Sequence, residues 1–184
     1  MDKLNKSEQF RKTNVVPYHS DWPLLYVLES KKVAAVLKKN LIAVHHIGST
    51  AVPGMAAKPV IDILVILRDI TQLESHKIEL ESLGYHWMGE YGIPGRCYLW
   101  KVESNQIDFH LQCFQGDHIG SKNTLIFRDF LIAHPDKALE YARAKRRASE
   151  KFPSDGHAYW YEKKSVVDVL LEAALCWYKK QGNP

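Results

Sequence analysis

The chain has 184 residues, 46% hydrophobic and 25% charged, with a formal net charge of +4. Those values suit a globular protein with a sizeable core and exclude a disordered or low-complexity chain. The mild positive balance admits anionic small molecules. It does not point to nucleic acid, because no groove-reading motif or aromatic-interleaved basic tract accompanies it. No apolar run approaches the ~20 residues that a membrane span requires. Cys97, Cys113 and Cys176 are widely spaced without a Cys-x-x-Cys pair, which argues against a disulfide framework or a zinc signature. Together with a polar N-terminus that has no signal-peptide stretch, this leads us to expect a cytoplasmic protein.

Residues 1–14 are polar and read as a flexible segment. Val15-Val16-Pro17-Tyr18 is a short extended entry. Ser20 or Asp21 can cap a helix with Pro23 in its first turn, and Leu24, Leu25, Val27, Leu28, Val33, Val36 and Leu37 recur at helical spacing to about Lys39. Ile42, Val44 and Ile47 then mark a strand that runs into Gly48-Ser49, a turn able to present backbone N–H groups to an anion. Lys58 brings a positive charge beside it. Val60-Ile61-Asp62-Ile63-Leu64-Val65-Ile66 reads as a buried strand, in which an acid is costly unless something pairs with it.

Ile70 to Leu83 predicts an amphipathic helix with Leu73, Ile78, Leu80 and Leu83 inward and Gly84 as its cap. Tyr85 to Met88 is a short strand, and Gly89 to Arg96 a loop with three glycines. Strands over Cys97–Glu103 and Gln106–Phe114 follow, with Ser104-Asn105 as their hairpin turn. Asp108, His110 and Gln112 share one face of the later strand, a polar row that suggests a wet cleft. From Ile119 the pattern is helical. It is interrupted at His134-Pro135, restarted by Pro135 to about Lys151, broken over Phe152–Gly156, and completed by a long helix carrying Val166, Val167, Val169, Leu170, Leu171, Ala174, Leu175 and Trp177. The expected organisation is a core over 15–116 and a helical region over 117–184 packed on it.

The block His46-Ile47-Gly48-Ser49-Thr50-Ala51-Val52-Pro53-Gly54, continuing through Lys58-Pro59 to Asp62, resembles the GrpB family. The likeness extends upstream to Val16-Pro17-Tyr18 and Trp22-Pro23, and downstream to Phe127-Arg128-Asp129, His134-Pro135, Tyr141, Lys145, Tyr159 and Lys163. The resemblance implies an α+β, nucleotidyltransferase-like fold: a mixed, largely antiparallel sheet with flanking helices and a C-terminal helical region. It implies that Gly48, Ser49 and Thr50 hold phosphate. Lys58, Arg128, Tyr141, Lys145 and Lys163 would join them, and Asp62, Asp108 and His110 would be the catalytic set.

Such enzymes place two acids two residues apart to hold divalent metal. Here Asp62 is followed at that spacing by Leu64, and Gln112 stands where a second histidine is expected after His110-Leu111. Mg²⁺ on Asp62 and Asp108 is the metal reading that remains. The resemblance therefore implies one of two things. The chain is a nucleotidyltransferase-like protein that takes a nucleotide or phosphorylated small molecule, with transfer chemistry on an incomplete carboxylate set. Otherwise it is a non-catalytic ligand-binding or accessory module, as with relatives appended to a coenzyme A biosynthetic kinase. In the same way Asp62 is either a ligand-facing acid or a structural acceptor for the Gly48–Thr50 turn. Arg143, Lys145, Arg146, Arg147 and Lys151 read as the wet side of a helix.

Overall fold

The computed structural model describes residues 14–103 and 107–182. The segment 1–13 and the hairpin turn expected at Ser104-Asn105 lie outside the described residues. Helix α1 (Trp22–Leu37) leads to strands β1 (Leu41–Ile47) and β2 (Val60–Leu67). A 3₁₀ stretch (Ile70–His76) and helix α2 (Lys77–Ser82) follow, then β3 (His86–Trp87), β4 (Arg96–Val102) and β5 (Asp108–Gln115). Helices α3 (Ile119–Ala133), α4 (Pro135–Lys151) and α5 (Gly156–Lys180) complete the chain. The strands form one sheet in the order β1-β2-β5-β4-β3, parallel between β2 and β5 and antiparallel elsewhere. The fold is α+β with a mixed, largely antiparallel sheet, as expected. Among the described residues no helix is long and apolar enough to cross a membrane.

The described residues divide into two compact units, a helical one (14–18, 52–58 and 126–182) and a sheet unit (19–51, 59–103 and 107–125). In the sheet unit one face of the sheet is apolar. Ile61, Ile63, Val65 and Leu67 of β2 and Phe109, Leu111 and Cys113 of β5 are buried, as are Val33 and Leu37 of α1 and Leu73 and Leu80. The stripe expected on α1 is corrected in part. Leu24, Val27 and Leu28 are exposed, and Trp22, Glu29, Ser30, Val33 and Leu37 are the buried positions. Apolarity alone misplaces the stripe, because the carboxylate of Glu29 is satisfied indoors by Lys101 at 2.8 Å and by the Tyr85 hydroxyl at 2.9 Å.

The helix predicted over 70–83 divides into a 3₁₀ stretch and α2, and Ile78 is exposed. Gly84, at φ +92°, closes α2 as expected, with its N–H on Glu81 O and that of Tyr85 on Leu80 O.

In the helical unit Ile126, Phe130, Leu131, Tyr141, Leu170 and Ala174 form a core with Val52 and Met55. The Val-Pro-Gly-Met segment is thus built into this unit, where Val16 and Ala57 also form an antiparallel bridge. Asp155 caps α5, its side chain accepting from the N–H groups of His157 and Ala158.

Candidate functional site

The turn after β1 is set by a chain of hydrogen bonds. The Thr50 hydroxyl donates to Val60 O at 2.8 Å, so the 3.0 Å contact from His46 Nε2 to the same oxygen has the imidazole as donor. His46 stacks on Tyr26 with ring centroids 4.8 Å apart. Thr50, expected among the ligand-binding residues, is 1% exposed and sends its hydroxyl inward. Its hydrogen bonds tie the turn to β1 and β2. Gly48 is exposed at φ +71°. A side chain there would collide with Asp62, since an added Cβ falls 3.0 Å from Asp62 Cβ and Cγ and closer still to Oδ2. The glycine is needed because the backbone of the turn lies against the Asp62 carboxylate.

Strand register fixes the rest of this face. Ile47 is opposite Asp62, Asp62 opposite His110, and His110 opposite Trp100. Asp108 lies two residues before His110 on the same face, and Gln112 two residues after. Asp62 Oδ1 and His110 Nδ1 are 3.5 Å apart, both side chains partly exposed at 24% and 20%. The Tyr98 ring meets His110 edge-on at 5.5 Å. Asp62, Asp108 and His110 thus share one partly open surface.

The position of the absent second acid is filled. Leu64 is fully buried in a cluster with Ile47 and Phe114. Among the described residues no group of three or more His, Cys, Asp or Glu side chains is arranged to hold a metal ion. A two-metal set therefore does not fit this face, where Asp62 and Asp108 are the two carboxylates that could hold a single hard cation.

The remaining expected residues belong to the helical unit. Lys145, four residues after Tyr141 on α4, is 2% exposed. Its ammonium donates to Ala56 O at 2.7 Å and sits 4.7 Å from the Tyr141 ring centroid. Lys163 lies over both Tyr141 (5.9 Å) and Tyr159 (5.2 Å), and Lys58 over Tyr159 (4.8 Å). Burial pushes the Tyr159 phenol up to about 12, with the nearby Lys163 charge opposing. Lys58, Lys145 and Lys163 thus gather around one pair of tyrosines. Lys164, the competing alignment, is paired instead with Asp168 one turn on.

Arg128 is tied to the adjacent Asp129, with Nη2 at 2.7 Å and Nε at 2.8 Å from Oδ1. Of the basic run on α4, Arg143, Arg146, Arg147 and Lys151 are exposed as expected, and Lys145 is the exception. Sequence reasoning gave no role to Arg96, which the site face also carries. Its one signal is its place at the end of a glycine-rich loop.

The family model described as GrpB protein matches residues 12–173. The chain belongs to the GrpB family. It is similar to the UPF0157 protein YqkA of Bacillus subtilis, 34% identical over 173 residues. That match covers 94% of this chain and 50% of the relative, so the chain spans half the length of that protein. The crystal structure of the conserved protein GrpB from Enterococcus faecalis is similar with a TM-score of 0.84 and 33% identity, over 90% of this chain and 99% of that one. Terminal uridylyl transferase 4 from Trypanosoma brucei with bound dUTP is similar with a TM-score of 0.51 and 16% identity, over 85% of this chain and 55% of that one. That last likeness shows the fold alone: this GrpB-family chain has a nucleotidyltransferase-like fold.

Proposed function

We propose that this protein binds a nucleotide or another phosphorylated small molecule at the Gly48-Ser49 turn, and that Asp62, Asp108 and His110 act on it. The observation that carries this reading is the close approach of the Gly48 backbone to the partly exposed Asp62 carboxylate. A glycine turn beside an acid is one arrangement that can take phosphate together with a cation. Asp62 and Asp108 are the residues that would hold a single Mg²⁺, whose part is to offset phosphate charge.

The chemistry that suits the face is in-line transfer. An acceptor oxygen forms a bond to phosphorus, the bond to the phosphate leaving group breaks, and His110, oriented by Asp62, takes the acceptor's proton. Within the helical unit, taken by itself, Lys58 and Lys163 beside Tyr159 are candidates for contact with an anion, and Lys145 positions the neighbouring segment by donating to Ala56 O. The three unpaired cysteines suit a reducing, cytoplasmic setting.

Calorimetric titration with nucleoside triphosphates, with and without Mg²⁺, tests the proposal. Binding strengthened by Mg²⁺, with the increment lost in Asp62→Asn at unchanged circular dichroism, is the expected result. Absence of binding to every triphosphate in both conditions overturns it. The buried Leu64 favours a second reading, a ligand-binding or accessory module without turnover. In that case Asp62→Asn loses stability and metal has no effect.

A further inference from the structure

Arg96 begins β4 opposite Phe114, on the sheet face that carries Gln112, His110 and Asp62. It is only 9% exposed. Its partners are neutral: Nη2 donates to Tyr91 O at 2.6 Å, Nε to Glu90 O at 3.3 Å, and Nη1 to the Gln112 side-chain oxygen at 3.4 Å. Among the described residues no carboxylate forms an ion pair with it. A guanidinium has five N–H donors, so donors remain beyond those three bonds. Burial lowers its affinity for the proton, and the field of Asp62 is among the influences that oppose this.

A buried cation without a counterion is costly, and the cost is relieved when an anion docks against it. The surroundings suit such a guest. The Tyr98 ring lies under the guanidinium at 5.0 Å and touches His110 edge-on. Tyr91 stacks on Tyr98 at 5.0 Å with its own ring partly open to solvent. Tyr91 holds a left-handed backbone at φ +45°, and Glu90 clasps the loop through the N–H of Gly95. A non-glycine residue keeps that conformation only where its surroundings impose it.

We propose that Arg96 is an anion-binding residue, taking a carboxylate or phosphate group of a second small molecule next to Asp62 and His110. Its planar fork matches either group in a bidentate manner. That this second molecule is the acceptor rests on the transfer reading above, whereas the anion site does not depend on it.

The test is NMR of the arginine Nε–Hε signals, with the Arg96 signal assigned by its loss in Arg96→Lys. Inorganic phosphate and acetate are titrated separately at constant ionic strength. The expected result is a saturable shift of the Arg96 signal with at least one of them, and the anion that moves it identifies the group recognised. In Arg96→Lys, followed through the Tyr91 and Gly95 amides, binding weakens about tenfold or more, because the charge stays and the fork is lost. An Arg96 signal unmoved by both anions in the wild-type protein overturns the proposal, whether or not the variant folds. Anion binding without any nucleotide binding in the calorimetry leaves this site standing and removes its acceptor role.

Discussion

At the scale of single residues, the turn separates two kinds of glycine. Gly48 and Gly54 both have positive φ, at +71° and +77°, but an added Cβ at Gly54 meets nothing within 4 Å while at Gly48 it runs into Asp62. Gly54→Ala therefore carries only the backbone strain, about 1–2 kcal/mol. Gly48→Ala carries that strain and displaces the carboxylate as well. Urea unfolding is expected to rank Gly48→Ala as the more destabilising, and only Gly48→Ala is expected to lower triphosphate affinity.

Thr50 gives a complementary prediction. Thr50→Val keeps the shape but takes from Val60 O its buried hydroxyl donor and breaks the link to His46 Nε2, for a loss of about 1–3 kcal/mol. The same unfolding series checks that value. Ser49→Ala, beside it and less buried, is expected to cost far less stability.

Between elements, the decisive contact of the sheet unit is an ion pair from α1 to β4. Lys101 Nζ is 2.8 Å from Glu29 Oε1 with both side chains almost fully buried, and Lys101 also reaches Glu103 at 2.9 Å. Removing Lys101 leaves the buried Glu29 carboxylate with only the half-exposed Lys32 as a cationic partner, so Lys101→Met is expected to cost toward the lower end of about 3–5 kcal/mol. The double change with Glu29→Gln should recover much of it, as a double-mutant cycle in urea would measure. This pair also marks the limit of what the sequence makes legible. The β2 run, the capping glycine after α2 and the helix starts at Pro135 and near Pro23 can be read because each depends on residues close along the chain. Glu29 is polar in the sequence and interior in the fold only because Lys101 and Tyr85, distant in sequence, come to meet it. Lys145 is hidden in the same way inside a run of exposed basic residues. The site was legible to the extent that it follows strand alternation: Asp62, Asp108 and His110 share a face as the period of two requires. Arg96 was not, since its significance lies in a missing counterion that only the assembled sheet reveals.

For the whole molecule, the same buried group shapes stability against pH on both limbs. The hydrogen bonds from Lys101, Lys32 and Tyr85 hold the Glu29 carboxyl below its ordinary 4.5, although burial, the largest single influence, pulls the other way. Above about pH 4.5 Glu29 is ionised in both folded and unfolded chains and its stabilisation is complete. As pH falls below that value the unfolded chain takes up the proton first, and stability declines until the folded carboxyl also titrates. Burial and the neighbouring Glu29 charge raise the Tyr85 phenol well above its ordinary 10.0. Its contribution is therefore intact below pH 10 and falls above it, where the unfolded phenol ionises and the folded one does not. Urea unfolding across a pH series should show the acid limb shallower in Glu29→Gln and the alkaline limb shallower in Tyr85→Phe. Each variant should change the opposite limb less, because burial still raises the Tyr85 phenol without Glu29 and the lysines still lower the Glu29 carboxyl without Tyr85. Curves parallel to wild type on both limbs would show that this network does not set the pH range over which the fold persists.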